Sequence, residues 1–105
     1  MYQLRTYTLK DQESLDFYRN MVYPRHFASF AKFGMAIHGI WTAPDPLQLN
    51  LYVLFSFRDQ DDPVSVLAEY VKSEEFKADL AGFDTTNIIE YTDTFMMPSR
   101  GSPLR

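Results

Sequence analysis

One stretch, residues 47–57 with the sequence LQLNLYVLFSF, constrains the fold of this chain more than any other. Its odd-numbered positions are all apolar, whereas its even-numbered positions include Asn50, Tyr52 and Ser56. Alternation with a period of two is typical of a β-strand whose two faces meet different surroundings. We therefore expect a central strand with one face in the core and a half-polar opposite face.

The same alternation recurs in three other segments, residues 2–9, 35–43 and 87–97. Apolar residues at helical spacing mark residues 12–33 and residues 63–80. The order strand, helix, strand, strand, helix, strand predicts an α+β fold, a ferredoxin-like βαββαβ antiparallel sheet with both helices on one face.

Helix boundaries are marked by residues suited to capping. Asp11, Asp62 and Ser73 precede helical segments as N-caps, and Gly34 provides the left-handed stop of the first helix. Because Pro24 removes one backbone hydrogen bond and crowds the preceding turn, we expect a kink near Tyr23.

Composition limits the size and the partners of the protein. A chain of 105 residues with 46% apolar residues builds one small core, so we expect one domain at residues 1–97 and a flexible tail at 98–105. The net charge of −4 and the scattered Lys and Arg residues argue against nucleic acid and anionic membranes as partners. There is no cysteine, which removes disulfides and thiolate chemistry.

Strand-like alternation begins at Tyr2, without the basic and apolar regions of a leader peptide, and no apolar run reaches about 18 residues. We therefore expect a cytoplasmic protein with no membrane span.

The two faces of the predicted sheet differ in polarity. The helices are expected to cover the more apolar face, with Leu4, Ile37, Leu51, Val53, Phe55, Ile89, Tyr91 and Phe95. The opposite face is predicted to hold Arg5, Tyr7, Leu9, His38, Ile40, Asn50, Tyr52, Leu54, Ser56, Glu90, Thr92 and Met96. Because such a surface is too apolar for bulk water, we expect two copies to pair through it as a homodimer with a shared lumen.

Three short motifs resemble the NIPSNAP domain: Leu4-Arg5-Thr6-Tyr7, His38-Gly39-Ile40-Trp41-Thr42 and Ser73-Glu74-Glu75-Phe76. The resemblance implies a dimeric α+β barrel, in the superfamily that also holds small monooxygenases, haem-degrading proteins and stress-responsive barrels. It implies no settled activity. Gln3 stands where relatives often carry an acid, and the third strand has Leu49, Val53 and Phe55 in place of the usual Asn, His and Trp pattern.

The candidate catalytic residue is His38, a general base or anchor in the predicted lumen beside Arg5, Tyr7 and Tyr52. A bulge at Gly39 is expected to turn Trp41 to the same side as His38. Arg5 is read either as an anion clamp or, more simply, as the partner of Glu90. The simpler interpretation of His38 is a structural histidine that hydrogen bonds across a dimer cavity.

Other chemistries find little support. His26 resembles the helix histidine that binds haem in related barrels, but no second element supports a haem site, and a capping or surface role explains His26 better. Two histidines give no metal site, and we expect no cofactor. The aromatics Tyr7, Tyr52 and Phe55 are reminiscent of an RNA-stacking platform, but the net charge is wrong for one.

Two functions remain open. The first is a homodimeric barrel that binds a small, partly aromatic or anionic organic molecule in its lumen, either as a metal-free enzyme or as a binding protein. The second is a non-catalytic adaptor or assembly module whose lumen is only a packed interface. An open cavity near His38 would favour the first, and a filled interior with a neutralised Arg5 would favour the second.

Overall fold

A computed structural model describes all 105 residues. Four strands form one antiparallel sheet in the order β2-β3-β1-β4. Their bounds are β1 (Tyr2–Leu9), β2 (Met35–Thr42), β3 (Asn50–Phe57) and β4 (Ile88–Met96). The predicted α+β class and the ferredoxin-like strand order are confirmed.

The helices are α1 (Gln12–Phe17), α2 (Tyr23–Lys32), α3 (Pro63–Val71) and α4 (Glu74–Asp79). A single 3₁₀ turn, Thr85–Asn87, leads into β4. The three predicted N-caps are confirmed, because the side chains of Asp11, Asp62 and Ser73 each accept a backbone N–H of the following turn. Gly34 has a φ of +80°, as expected for the residue that ends the first helical region.

The structure has a π-helical segment at the interruption predicted near Tyr23. Residues Tyr18–Val22 are π-helical, and the Tyr23 N–H donates to the Tyr18 carbonyl five residues back. Because Pro24 has no N–H to continue an α-helical ladder, the wider π turn accommodates it while the backbone stays helical on both sides.

The cross-strand register decides which residues face the helices. In β3 the odd-numbered residues are buried, and they lie opposite odd-numbered residues of β1: Phe55 pairs with Gln3, Val53 with Arg5 and Leu51 with Tyr7. Direct partners share a face, so Arg5, Tyr7 and Leu9 lie on the helix side and Leu4 on the open side. The face predicted for β1 was wrong, although the face predicted for β3 was right.

In β2 the register shifts between Ile37 and Gly39, so the predicted bulge is confirmed. Ile37 pairs with Phe55 on the helix side, and after the shift Ile40 pairs with Val53 on that side too, contrary to prediction. Trp41 pairs with Tyr52 on the open side, the side that also holds His38.

The core lies between the sheet and the helices. Its buried residues include Leu9, Leu51, Val53 and Phe55 from the sheet and Leu15, Val22, Tyr23 and Phe30 from the helical layer. Burying each large apolar side chain contributes about 1.5–3 kcal/mol. The buried odd-numbered residues of β3, which the alternation identified, therefore contribute directly to the stability of the fold.

The edge strand β4 is less well covered. Its helix-side residues Tyr91 and Phe95 are 58% and 46% exposed, and β1 is its only neighbour in the sheet. A gap therefore remains between the helical layer and this edge.

The C-terminal tail folds back towards the open face. Pro98, Ser99, Ser102 and Leu104 border a hollow of about 240 Å³ together with Tyr2, Leu54 and Met96. The tail also closes on itself, because the Ser102 N–H donates to the Ser99 carbonyl. Its predicted flexibility stays a prediction.

Candidate functional site

A cleft of about 220 Å³ opens between the helical layer and the β1–β4 side of the sheet. Its lining is almost entirely aromatic and aliphatic, with Arg5, Tyr7, Tyr18, Tyr23, His26, Phe30, Phe55, Leu67, Tyr70, Val71, Phe76, Ile88 and Tyr91. The residues on its inner side, such as Tyr23, Phe55 and Tyr70, are buried, whereas Val71 and Tyr91 are exposed. The cleft therefore runs from solvent into the core.

Three tyrosines pack against one another in the cleft. Tyr7 comes from β1, Tyr18 from the π-helical segment and Tyr23 from the start of α2, with ring centroids 5.0–5.8 Å apart and edge-to-face geometry. The hydroxyls of Tyr7 and Tyr23 lie 2.6 Å apart and hydrogen bond to each other. Burial raises the pKa values of Tyr18 and Tyr23 well above the ordinary tyrosine value, so both are neutral at physiological pH.

At the opening of the cleft the guanidinium of Arg5 is held in place by β4. Its Nε and Nη2 donate to the two carboxylate oxygens of Asp93, at 2.7 and 3.0 Å, and it lies 4.9 Å from the ring centre of Tyr91. Gln3 Nε2 donates to the same carboxylate at 2.7 Å. Burial favours the neutral form of Asp93, but the hydrogen bonds from Arg5 and Gln3 outweigh it and lower the pKa of Asp93. The charge of Arg5 is therefore already paired.

His26 lies among the buried groups of the cleft and joins three helices. Its Nδ1 is 2.9 Å from Asp79 Oδ2 and 2.5 Å from the hydroxyl of Tyr70, and that hydroxyl donates to Asp79 at 2.9 Å. Burial lowers the pKa of His26 and outweighs the opposing effect of Asp79. The imidazole is therefore neutral at physiological pH. Burial, followed by the hydrogen bond to Asp79, raises the pKa of Tyr70.

The open face of the sheet carries the other group of candidate residues. His38 Nε2 hydrogen bonds to the Ser56 hydroxyl at 2.7 Å, and its ring lies 5.2 Å from that of Tyr2. Trp41, beside Tyr52, is 53% exposed. This surface is mixed aromatic and polar, as the sequence predicted, but His38 is not part of the cleft lining.

The structure divides the predicted site residues between the two faces. Arg5 and Tyr7 lie in the cleft on the helix side, whereas His38, Trp41 and Tyr52 lie on the open side together with Glu90, which pairs with Thr8. The predicted cluster of His38 with Arg5, Tyr7 and Tyr52 is therefore not formed within one chain. The predicted Arg5–Glu90 pair is also wrong, because Arg5 pairs with Asp93.

Sequence reasoning missed most of the cleft. None of Tyr18, Tyr23, Tyr70 and Asp79 is among the candidate site residues predicted from the sequence. The signal available was the presence of Tyr18, Tyr23 and Tyr70 at buried helical positions, since a core built only for packing would use Leu or Phe there. His26 was noticed as a helix histidine, but its partner Asp79 lies 53 residues away.

No group of three or more His, Cys, Asp or Glu side chains is arranged to hold a metal ion. No helix combines the length and the apolar composition that crossing a bilayer requires.

Comparison with known proteins identifies relatives of this fold. The family model described as NIPSNAP matches residues 2–103. A NIPSNAP family protein of unknown function from Agrobacterium tumefaciens superposes with a TM-score of 0.78 at 21% identity, covering 99% of this chain and 92% of that chain. An uncharacterised NIPSNAP domain protein from Burkholderia xenovorans superposes with a TM-score of 0.76 at 11% identity, covering 97% of each chain. No curated protein matches the chain significantly.

Proposed function

The chain belongs to the NIPSNAP family, and we propose that it binds a small organic molecule bearing one aromatic ring in the cleft beside β4. The observation that carries the proposal is a hollow of about 220 Å³ that reaches from solvent into a core of tyrosines. An apolar cavity of about 150 Å³ is enough to hold benzene, so this cleft accommodates one ring with small substituents. It is small for a drug-sized ligand, whose pockets span about 300–1,000 Å³.

The charges around the cleft favour an uncharged ligand. Arg5 is occupied by Asp93, and His26 is neutral because burial lowers its pKa. An anionic ligand would have to displace Asp93 from Arg5, which costs the bidentate pair. Of the two predicted kinds of ligand, an aromatic one is therefore favoured over an anionic one. The proposed binding site is the cleft, in place of the predicted lumen between two sheets.

The open face is proposed as the contact surface of a homodimer. It presents Trp41, Tyr52 and Leu54 beside polar groups, and a mixed surface of this kind gains stability when a second copy covers it. The two faces then have separate tasks, with the partner on one and the ligand on the other. The expected cytoplasmic location stays a prediction.

A rival function is a non-catalytic adaptor that binds no ligand. The pairing of Arg5 with Asp93 favours it, since a neutralised arginine is expected in a purely structural interior. The hollow in the core argues for the binding protein, since interiors selected only for stability are close-packed.

Titration of the protein with anisole, followed by NMR chemical shifts, tests the ligand proposal. We expect shifts confined to cleft residues. Leu67→Trp, which places a bulky ring in the cleft lining, should abolish them, whereas Val64→Trp on the exposed side of the same helix α3 should leave them unchanged. Absence of binding to the wild type, or binding that Leu67→Trp does not weaken, contradicts the proposal and favours the adaptor.

Light scattering tests the dimer. We expect a dimer at micromolar concentration, and we expect Tyr52→Lys, at the centre of the open face, to give a monomer. Val64→Lys introduces the same charge on the exposed surface of α3 and should stay dimeric. A monomeric wild type would contradict the assignment of the open face.

A further inference from the structure

The imidazole of His26 is held by one edge only. Both of its hydrogen bonds use Nδ1, one with Asp79 and one with Tyr70. The Tyr70 hydroxyl donates its one proton to Asp79, so it can only accept from His26, and the proton of a neutral His26 therefore lies on Nδ1. Nε2 is then a lone-pair acceptor.

The free nitrogen is not sealed inside protein. The one fully buried side-chain polar atom without a partner is Gln3 Oε1. His26 Nε2 makes no hydrogen bond either, so it borders space that water can reach, and the cavity lined by His26 is the cleft. An acceptor beside an otherwise aromatic cavity selects a ligand that brings one donor.

The surroundings fix the direction of this acceptor. The ring of Phe76 lies parallel to the imidazole at 6.2 Å, and Tyr23 meets it edge-on at 4.8 Å. Together with the bonds to Asp79 and Tyr70, these contacts leave the imidazole no freedom to turn. Preorganisation of this kind increases the contribution of a single hydrogen bond to affinity.

We propose that the cleft selects phenols, with His26 Nε2 accepting the hydrogen bond of the phenolic hydroxyl while Asp79 and Tyr70 act as positioning residues. This inference rests on the proposed ligand site and adds the chemical class of the ligand. The aromatic lining contacts the ring, and the hydroxyl donates to His26 Nε2, a nitrogen of the cleft lining that makes no hydrogen bond within the protein.

The experiment compares phenol with anisole, which has the same ring but a methyl group in place of the hydroxyl proton. We expect the wild type to bind phenol about tenfold more tightly, as one net hydrogen bond of about 1.4 kcal/mol gives. Imidazole ¹⁵N shifts should show His26 protonated on Nδ1 in the free protein, and the Nε2 signal should move on adding phenol but not anisole.

Two variants separate the role of Nε2 from that of Nδ1. His26→Asn keeps a donor near the position of Nδ1 for Asp79 but removes the acceptor, so it should lose the tenfold preference, and phenol and anisole should bind it with about the same affinity as each other. His26→Gln places an amide oxygen near Nε2 and should recover part of the preference.

The outcomes distinguish the two proposals. If phenol and anisole bind equally and the Nε2 signal does not move, the phenol inference is overturned while the ligand site stands. If neither compound binds, the site and the inference fall together. The wild-type measurements decide the matter even where a variant does not fold.

Discussion

The hydroxyl pair of Tyr7 and Tyr23 provides a quantitative test of how the cleft is built. The two oxygens are 2.6 Å apart, and both residues are buried, Tyr23 with 1% of its surface exposed. Changing either residue to Phe leaves the other hydroxyl without its partner in an aromatic environment. An unpaired buried group costs about 1–3 kcal/mol, so we expect each single variant to lose about 1.5 kcal/mol of unfolding free energy.

The double variant, with both Tyr7 and Tyr23 changed to Phe, distinguishes the energy of the hydrogen bond from the cost of leaving one hydroxyl unpaired. With both hydroxyls removed no group is left unpaired, and the loss should be about 1 kcal/mol, the net value of one hydrogen bond. Because the two single losses together exceed this value, the cycle should show a coupling of about 2 kcal/mol. For a chain of this size each single variant should melt about 6–12 °C below the wild type.

Urea unfolding at one fixed protein concentration measures these values, with an unchanged m-value as the check that the same surface is exposed. Single losses below about 0.3 kcal/mol that simply add in the double variant would refute the reasoning. That result would mean that water already hydrates both hydroxyls, and that the inner side of the cleft is wet in the free protein.

Two further predictions concern charge. Asp93→Asn should lower the unfolding free energy by about 1 kcal/mol in urea titrations, because Arg5 loses a partly buried partner. Asp16→Asn, which breaks the more exposed pair with Arg19, should cost clearly less, and equal losses would contradict this. Burial places the pKa of His26 in the folded state below its unfolded value of 6.5, so the unfolded chain binds the extra proton first as the pH falls. The unfolding free energy should therefore decrease as the pH drops below about 6.5. The full loss should be reached below the folded pKa of His26. His26→Asn should flatten that part of the profile, and a slope that persists in the variant would assign it to another group.

Local signals in the sequence predicted the elements well, because each depends on near neighbours. The N-caps at Asp11, Asp62 and Ser73 and the positive φ of Gly34 are satisfied within one turn of chain. The alternation in β3 reported its buried face correctly, since that strand lies between two others. The bulge at Gly39 was also readable, because a glycine inside a strand often marks one.

Side-chain pairs between residues far apart in the sequence could not be predicted from such local signals. The prediction placed Leu4 under the helices because leucine is more apolar than its neighbours Gln3 and Arg5. The fold instead buries Gln3 completely and covers most of Arg5, because Asp93 on the neighbouring strand receives hydrogen bonds from both. A buried donor is tolerated on this face when an acceptor from a distant part of the chain pairs with it, as Asp93 does with Gln3 Nε2 and Arg5.

The mistaken partner of Arg5 follows from the mistaken face of β1. Residues 90 and 93 are separated by an odd number of positions on one strand, so Glu90 and Asp93 point to opposite sides of the sheet. Placing Arg5 on the open side leaves Glu90 as its acid, and placing it on the helix side leaves Asp93. Assigning β1 to the wrong face therefore misplaces several residues at once. Tyr7 lies on the same face as Arg5, and Tyr7 contacts Tyr23 of α2 and Tyr18 of the π-helical segment before it. The aromatic cleft therefore lies beneath the helices, and the open face retains His38 and Trp41 without a charged partner from β1.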